Sequence, residues 1–251
     1  MAEILAGVHL IDGRGASGAQ GGPSGGAMNV CLLVHGDRVT LIDAGMPGTA
    51  DRLAEELDII GLSPGSVRRV VVTHHHVDHV GGLAEVVALT GAEVWAHHDD
   101  ACVIDGSVPR STSPALRDAL LAQLPPEEHP AALERMRRMA AVPGVPVDVR
   151  LVGGEELAIL GGVRVLHAPG HTAGHLALHL PALALLLPGD LLRYEQGVVR
   201  QGPAHFTADQ EQAAASIRAL AALPVDRLLG YHGGWLPAGA GPLLETYART
   251  L

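Results

Sequence analysis

The chain has 251 residues, 47% of them hydrophobic, with 27 acidic against 17 basic side chains and a formal net charge of −10. A chain of this length can bury a full core, and one domain over residues 1–251 is the simplest expectation. The acidic balance argues against a nucleic-acid partner, which would select a basic face. No apolar run reaches the roughly 18 residues of a membrane span, so no membrane partner is expected. The N-terminal residues lack a basic segment followed by a long apolar stretch, so no signal peptide is expected. Cys31 and Cys102 stand in apolar surroundings and read as two unpaired thiols. They fit a reducing cytoplasm, which is the expected location.

Residues 4–11, 30–34 and 39–43 read as strands, the last two joined by a turn at His35-Gly36-Asp37-Arg38. Residues 13–26 form a Gly/Ser-rich loop. Helical periodicity covers residues 48–60 and stops at Gly61, and residues 69–73 form a β-branched strand. An apolar helical pattern at 83–89 and a strand at 94–96 follow. Over about 99–147 the alternation breaks, and prolines punctuate two candidate helices at 114–123 and 127–141. Pro130 falls in the first turn of the second, where proline is tolerated. This stretch reads as a helical insertion packed over one end of the sheet.

Strands resume at 149–152, 163–167, 176–180 and 184–187. A helix is expected over 208–223, with Thr207 as candidate N-cap and Pro224 as its stop. A last strand at 227–231 runs into His232, and a short helix covers about 241–250. The two halves echo each other. Leu41-Ile42-Asp43-Ala44-Gly45 and Leu187-Pro188-Gly189-Asp190 each end an apolar strand with an Asp beside a Gly. In each half a helix and a further strand follow, delivering His74 in one and His232 in the other. A duplicated ββαβ-type unit is the reading, with corresponding strand ends meeting at one edge.

The densest chemistry is Thr73-His74-His75-His76-Val77-Asp78-His79. Imidazole and carboxylate are ligands for borderline divalent cations. In an extended segment His74, His76 and Asp78 face one way while His75 faces the other, towards solvent or the surroundings of the site. His79 follows at the turn into the helix and can reach a second centre. Further ligands must come from downstream, where Pro169-Gly170-His171-Thr172, Pro188-Gly189-Asp190 and Tyr231-His232-Gly233-Gly234 mark strand ends.

These residues resemble the metallo-β-lactamase superfamily. His74 to His79 matches its HxHxDH motif, the three downstream segments resemble its remaining metal motifs in order, and Asp43 matches its first aspartate. The resemblance covers about residues 30–234, without the 99–147 stretch. It implies an α/β fold, a four-layer αβ/βα sandwich of two facing mixed sheets with helices outside, and two divalent metal ions at one edge. Zinc is the default cation, with iron and manganese as alternatives. By the same resemblance His74, His76 and His171 would hold one metal, Asp78, His79 and His232 the other, and Asp190 would bridge them. Asp43 would lie behind the ligands, accepting hydrogen bonds from their loop. Two such metals would share a water, lower its pKa and present hydroxide to a carbonyl or phosphoryl centre. Asp78 would carry the proton to the leaving group.

Departures from the pattern narrow the reaction. β-Lactamases of the commonest subclass carry a cysteine where Asp190 lies and no ligand at His79; flavodiiron relatives have an acid at His76. What remains resembles glyoxalase II-like and lactonase-like hydrolases of small thioesters, esters or lactones. Only 19 residues follow His232, so the C-terminal glutathione-binding domain of glyoxalase II is not expected. Tyr194 resembles the tyrosine that lactonases place near the scissile carbonyl. The expected partner is a small molecule, and a homodimer is left open. Alternatives are a mononuclear iron persulfide dioxygenase, a β-lactam or phosphodiester hydrolase, and a metal-stabilised binding protein without turnover. Among the other candidates, His175 either orients the His171 loop or sits half-buried in a strand. His97 and His98 read as surface or capping residues ahead of Asp99-Asp100. Met136 and Met139 read as packing residues, and Phe206 as pocket wall or core plug.

Overall fold

Period-two alternation assigns the side chains of the central strands to two different cores. Leu32, Leu41 and Val70 point one way, while Cys31, Leu33, Ile42 and Val71 point the other, and all are buried. In the computed structural model, which describes residues 2–15, 27–110 and 114–251, this pattern builds two facing sheets. The first runs β1 (Ala2–Leu5), β2 (Val8–Asp12), β3 (Asn29–His35), β4 (Arg38–Ile42), β5 (Val67–Val72), β6 (Glu93–His97) and β7 (Val149–Leu151), in that spatial order. It is antiparallel up to β4 and parallel from β4 to β7.

The second sheet begins with β8 (Glu156–Leu157), β9 (Val163–His167), β10 (Leu176–Leu180) and β11 (Leu185–Leu187). A separate hairpin of β12 (Leu192–Glu195) and β13 (Val198–Gln201) interrupts it before β14 (Arg227–Leu229) and β15 (Trp235–Leu236) complete the order β15-β14-β11-β10-β9-β8. The helices are α1 (Thr49–Ile59), α2 (Val77–Val80), α3 (Leu83–Thr90), α4 (His98–Ile104), α5 (Pro114–Leu121), α6 (His129–Ala140), α7 (Gln210–Ala221) and α8 (Ala240–Ala248).

Three apolar clusters glue four layers together. Leu53 and Leu57 of α1 and Leu83 and Val86 of α3 cover the outer face of the first sheet. Val71, Val165, Leu178 and Leu185 fill the space between the sheets. Ile217 of α7 and Leu244 of α8 cover the outer face of the second. Each such aliphatic side chain contributes about 1.5–3 kcal/mol when taken out of water. Among the described residues no helix is long and apolar enough to cross a membrane.

The echo between the halves is present in the topology. β3 and β4 are antiparallel, α1 follows, and β5 returns parallel to β4; β10 and β11 are antiparallel, α7 follows, and β14 returns parallel to β11. The sheets are stitched at the edge where β5 and β14 end, by Leu176 N donating to Thr73 O at 2.8 Å and Asn29 N to Tyr231 O at 2.8 Å. At the other end Leu160 N donates to His35 Nδ1 at 3.1 Å, beside a cavity of about 950 Å³ lined by His35, Arg38, Arg68, Arg69 and Ile159 among others.

Several boundaries differ from the sequence expectation. The strand expected over 4–11 is two strands, because Gly7 turns with φ +76° and its carbonyl accepts from Val34 N. The helix expected from 208 starts at Gln210, and its N-cap is Asp209, accepting from Gln212 N at 2.9 Å, instead of Thr207. The strand expected over 227–231 ends at Leu229. β8, β12, β13 and β15 were not anticipated, being two to four residues long and too short for alternation to register. Within 99–147, α4 packs on β6 and β7, and α5 meets the segment Ala204–Phe206. α6 buries Ala132 and leaves Met136 and Met139 half-buried. The Gly/Ser-rich loop expected over 13–26 lies, from residue 16 on, outside the described residues.

Candidate metal centre

Strand ends of both sheets deliver the charged and imidazole side chains to the stitched edge, the usual place for chemistry in an α/β sheet. β5 runs into Thr73 and His74, β9 leads to His171, β11 to Asp190, and β14 to Tyr231 and His232. Downstream of His74 the chain departs from the extended course expected to residue 78. His79 N and Val80 N both donate to the carbonyl of His76, at 3.0 and 3.2 Å, so His76 caps α2 and Asp78 and His79 sit on its turn. The helical turn, not alternation, therefore turns Asp78 away from His74 and His76.

Two donor clusters result. His74, His76 and His171 form one; Asp78, His79, Asp190 and His232 form the other, with the donor atoms in each mutually within 4.8 Å. In the first, His76 Nδ1 lies 3.0 Å from both His74 Nε2 and His171 Nε2. Burial pushes all three imidazoles towards the neutral form, His76 to about 4, and neighbouring histidines add to the effect. Neutral imidazole is the ligand form.

The second cluster carries the opposite electrostatics. His232 Nε2 stands 2.9 Å from Asp78 Oδ2 and 3.4 Å from Asp190 Oδ2. Burial would lower His232, but Asp190 and Asp78 raise it to about 9. His79 is likewise raised well above its ordinary value, against burial, by Asp43, Asp190 and Asp78. Burial would raise Asp78, yet the charge of His79 and the hydrogen bond from His232 hold it at about 2.

Around these groups lies a set of supporting bonds. Asp43 adopts a left-handed backbone with φ +62°, a conformation Asp tolerates better than most residues. Its carboxylate accepts from Thr73 N at 2.7 Å and faces His79 Nδ1 at 2.8 Å, which leaves His79 Nε2 for the cluster. His175 is fully buried and joins the start of the His171 loop, at Ala168 O through Nδ1, to Asp190 N through Nε2, each at 3.1 Å. Thr207, expected as a helix cap, places Oγ1 3.4 Å from His171 Nδ1.

Sequence reasoning gave no role to Tyr231, which is buried, stacks on His79 and donates its hydroxyl to the carbonyl of Asp78. Its position next to His232 was the available signal. Asp100 also went unassigned, although it is buried and bonds both ligand loops. His97 caps α4 by accepting from Asp99 N, as one of its two readings anticipated. Phe206 is partly exposed and its ring centroid lies 6.3 Å from that of His76, which makes it a wall of the site. Tyr194 packs against the third apolar cluster, its carbonyl accepts from Gly234 N at 2.8 Å, and its hydroxyl makes no hydrogen bond among the described residues.

The donor set fits cations. His79 Nε2 and Asp190 Oδ1 are buried without a hydrogen-bond partner and face each other at 3.3 Å. Buried polar atoms left unpaired are costly, and a cation between them removes that cost. Three imidazole nitrogens converging with neutral rings pose the same demand in the first cluster.

The profile of the Metallo-beta-lactamase superfamily matches residues 24–232. The chain belongs to that superfamily. It is 31% identical over 201 residues to a hydroxyacylglutathione hydrolase of Dechloromonas aromatica (strain RCB), covering 80% of this chain and 55% of that relative. It thus spans about half the length of that protein. A probable metallo-hydrolase of Bacillus subtilis (strain 168) is 28% identical over 208 residues, covering 77% of this chain and 74% of that one. Among solved structures, a metallo-beta-lactamase family protein of Thermus thermophilus superposes with a TM-score of 0.71 at 26% identity, over 99% of this chain and 79% of that one. An archaeal superfamily protein of Sulfolobus tokodaii, at 20% identity and TM-score 0.66 over 97% of this chain and 85% of that one, shares the fold. The family and its His/Asp clusters define a divalent-metal protein.

Proposed function

We propose that the chain is a dinuclear metal-dependent hydrolase of small thioesters, esters or lactones. Asp190 carries the reading: its Oδ2 lies 3.7 Å from His171 Nε2 and 3.4 Å from His232 Nε2, so one carboxylate faces both donor clusters. His74, His76 and His171 would hold one cation, Asp78, His79 and His232 the other, with Asp190 shared. Bound there, two cations supply Lewis acidity and a water of lowered pKa. Zinc is the cation proposed, on the nitrogen and oxygen donor set; iron and manganese satisfy the same set.

The chain's own groups supply orientation and proton handling. Asp43 fixes the His79 ring through Nδ1, and His175 fixes the backbone of Asp190. The Asp78 side chain is 21% exposed, the most open of the second cluster, and is placed to relay a proton to a leaving oxygen or sulfur. The Tyr194 hydroxyl is left to meet the substrate. Phe206 and α5 would shape the acyl side, with the helices between β6 and β7 as part of one catalytic domain. Relatives named as hydroxyacylglutathione hydrolases support the thioester arm.

Metal analysis of the purified protein and a panel of thioesters, esters, lactones, phosphodiesters and β-lactams test the reading. Two cations per chain, turnover of an acyl substrate, and loss of at least about 100-fold in His76→Ala are expected. One cation or none, with activity intact in His76→Ala, overturns it.

A further inference from the structure

The first turn of α4 buries a carboxylate that neither donor cluster uses. Asp100 is 2% exposed, and hydrogen bonds reach it from two loops that belong to different sheets. His75 N donates to Oδ2 at 3.0 Å, Thr172 Oγ1 to Oδ2 at 2.8 Å, and Gly174 N to Oδ1 at 2.8 Å. The His75 ring adds Nδ1 at 3.0 Å from Oδ2, without the alignment of a hydrogen bond. The placement has a consequence for the ligands. His75 lies between His74 and His76, and Thr172 follows His171. Each of the three imidazoles of the first cluster is therefore one residue from a group bonded to Asp100.

The close approach is built in. A Cβ on Gly174 would stand 2.7 Å from both Asp100 N and Asp100 Oδ1, nearer than real Cβ atoms come. Burial would raise the Asp100 carboxyl, but the adjacent His75 ring and the bonds from Thr172 and Gly174 hold it at about 2, so it accepts as an anion. Hydrogen bonds to a buried anion belong to the strong class. His75 thus turns its ring towards Asp100, to which its backbone N–H is bonded.

We propose that Asp100 is the positioning residue of the His74–His76–His171 cluster: its carboxylate clips the loop of the first sheet to the loop of the second and sets the spacing of the three imidazoles. The proposal rests on reading the two clusters as two metal sites. Partners of this kind behind metal ligands typically carry 10–100-fold in affinity.

The test is a zinc titration of metal-free wild type and Asp100→Asn against a chromophoric chelator, with circular dichroism and thermal unfolding of both metal-free proteins. Asn keeps the size but offers an NH₂ group to one set of donors. Wild type takes up two equivalents; the variant holds one with unchanged affinity and binds the other about 10–100-fold more weakly. Two unchanged sites in a folded Asp100→Asn overturn the proposal. So does equal weakening of both sites, which would mark a role in the fold alone. A wild type that binds fewer than two equivalents overturns the dinuclear reading, and the proposal with it, and is recognisable before any variant is made. If Asp100→Asn does not fold, Thr172→Val removes a single bond and carries the same comparison, with a selective loss of about fivefold; an unchanged first site there overturns the proposal.

Discussion

The ring of Tyr231 stacks on that of His79 at 3.7 Å between centroids, tilted by 32°, while its hydroxyl donates to the carbonyl of Asp78. One side chain thus braces two neighbouring members of the second cluster, from the strand end that also delivers His232. Tyr231→Phe keeps the stack and removes the bond. It is expected to cost about 1 kcal/mol in denaturant unfolding and to weaken zinc at the second cluster several-fold while the first is unchanged. A variant with both affinities intact would count against the bracing role.

Cation uptake by the second cluster is expected to release protons. His232 sits at about 9 and His79 well above its ordinary value, so both are protonated at pH 7 in the metal-free protein. A cation must displace those protons, so affinity at this cluster rises with pH through about 9, where His232 loses its own. The first cluster, whose imidazoles are already neutral, shows little dependence at neutral pH. Calorimetry in buffers of differing ionisation enthalpy measures the release; equal proton counts for the two phases would contradict the assignment.

Phe206 is expected to act on substrate binding instead of on chemistry. The residue is 36% exposed and its ring centroid lies 6.3 Å from that of His76. Phe206→Ala should raise KM about fivefold for an apolar acyl substrate and leave kcat within about twofold. A fall in kcat with KM constant would instead place the ring against the transition state.

Thiol labelling should separate the two cysteines. Cys31 is buried between the sheets, and burial, reinforced by the Asp43 charge, pushes its thiol well above the ordinary range. Cys102 on α4 is half-buried. One thiol per chain should react in the native protein and two in guanidinium, as counted by a chromogenic disulfide. Rapid reaction of both in native protein would mean the sheets part far more readily than their packing implies.

The strands and helices that the sequence made legible were those with enough residues to show a period: Val163–His167 and Leu176–Leu180 match the expectation residue for residue. Short pieces such as Trp235–Leu236 escaped because two residues carry no alternation. At the site, glycine- and proline-marked strand ends pointed to His171, Asp190 and His232, and the structure gathers them. The turn at Val77–Val80 was hidden because only backbone bonding to His76 O distinguishes it from an extended loop. Tyr231 and Asp100 were hidden for a different reason. Their partners, Asp78 and Gly174, lie 153 and 74 residues away in the chain, and local pattern carries no information at that range.

The backbone bonds from Leu176 N to Thr73 O and from Asn29 N to Tyr231 O join the two sheets at the edge where the imidazoles and carboxylates gather. The ligand-bearing strand ends of both sheets therefore belong to one hydrogen-bonded network instead of two separate rims. The groups that must hold their spacing most closely are thus tied to both sheets, and spreading them would first require breaking backbone hydrogen bonds.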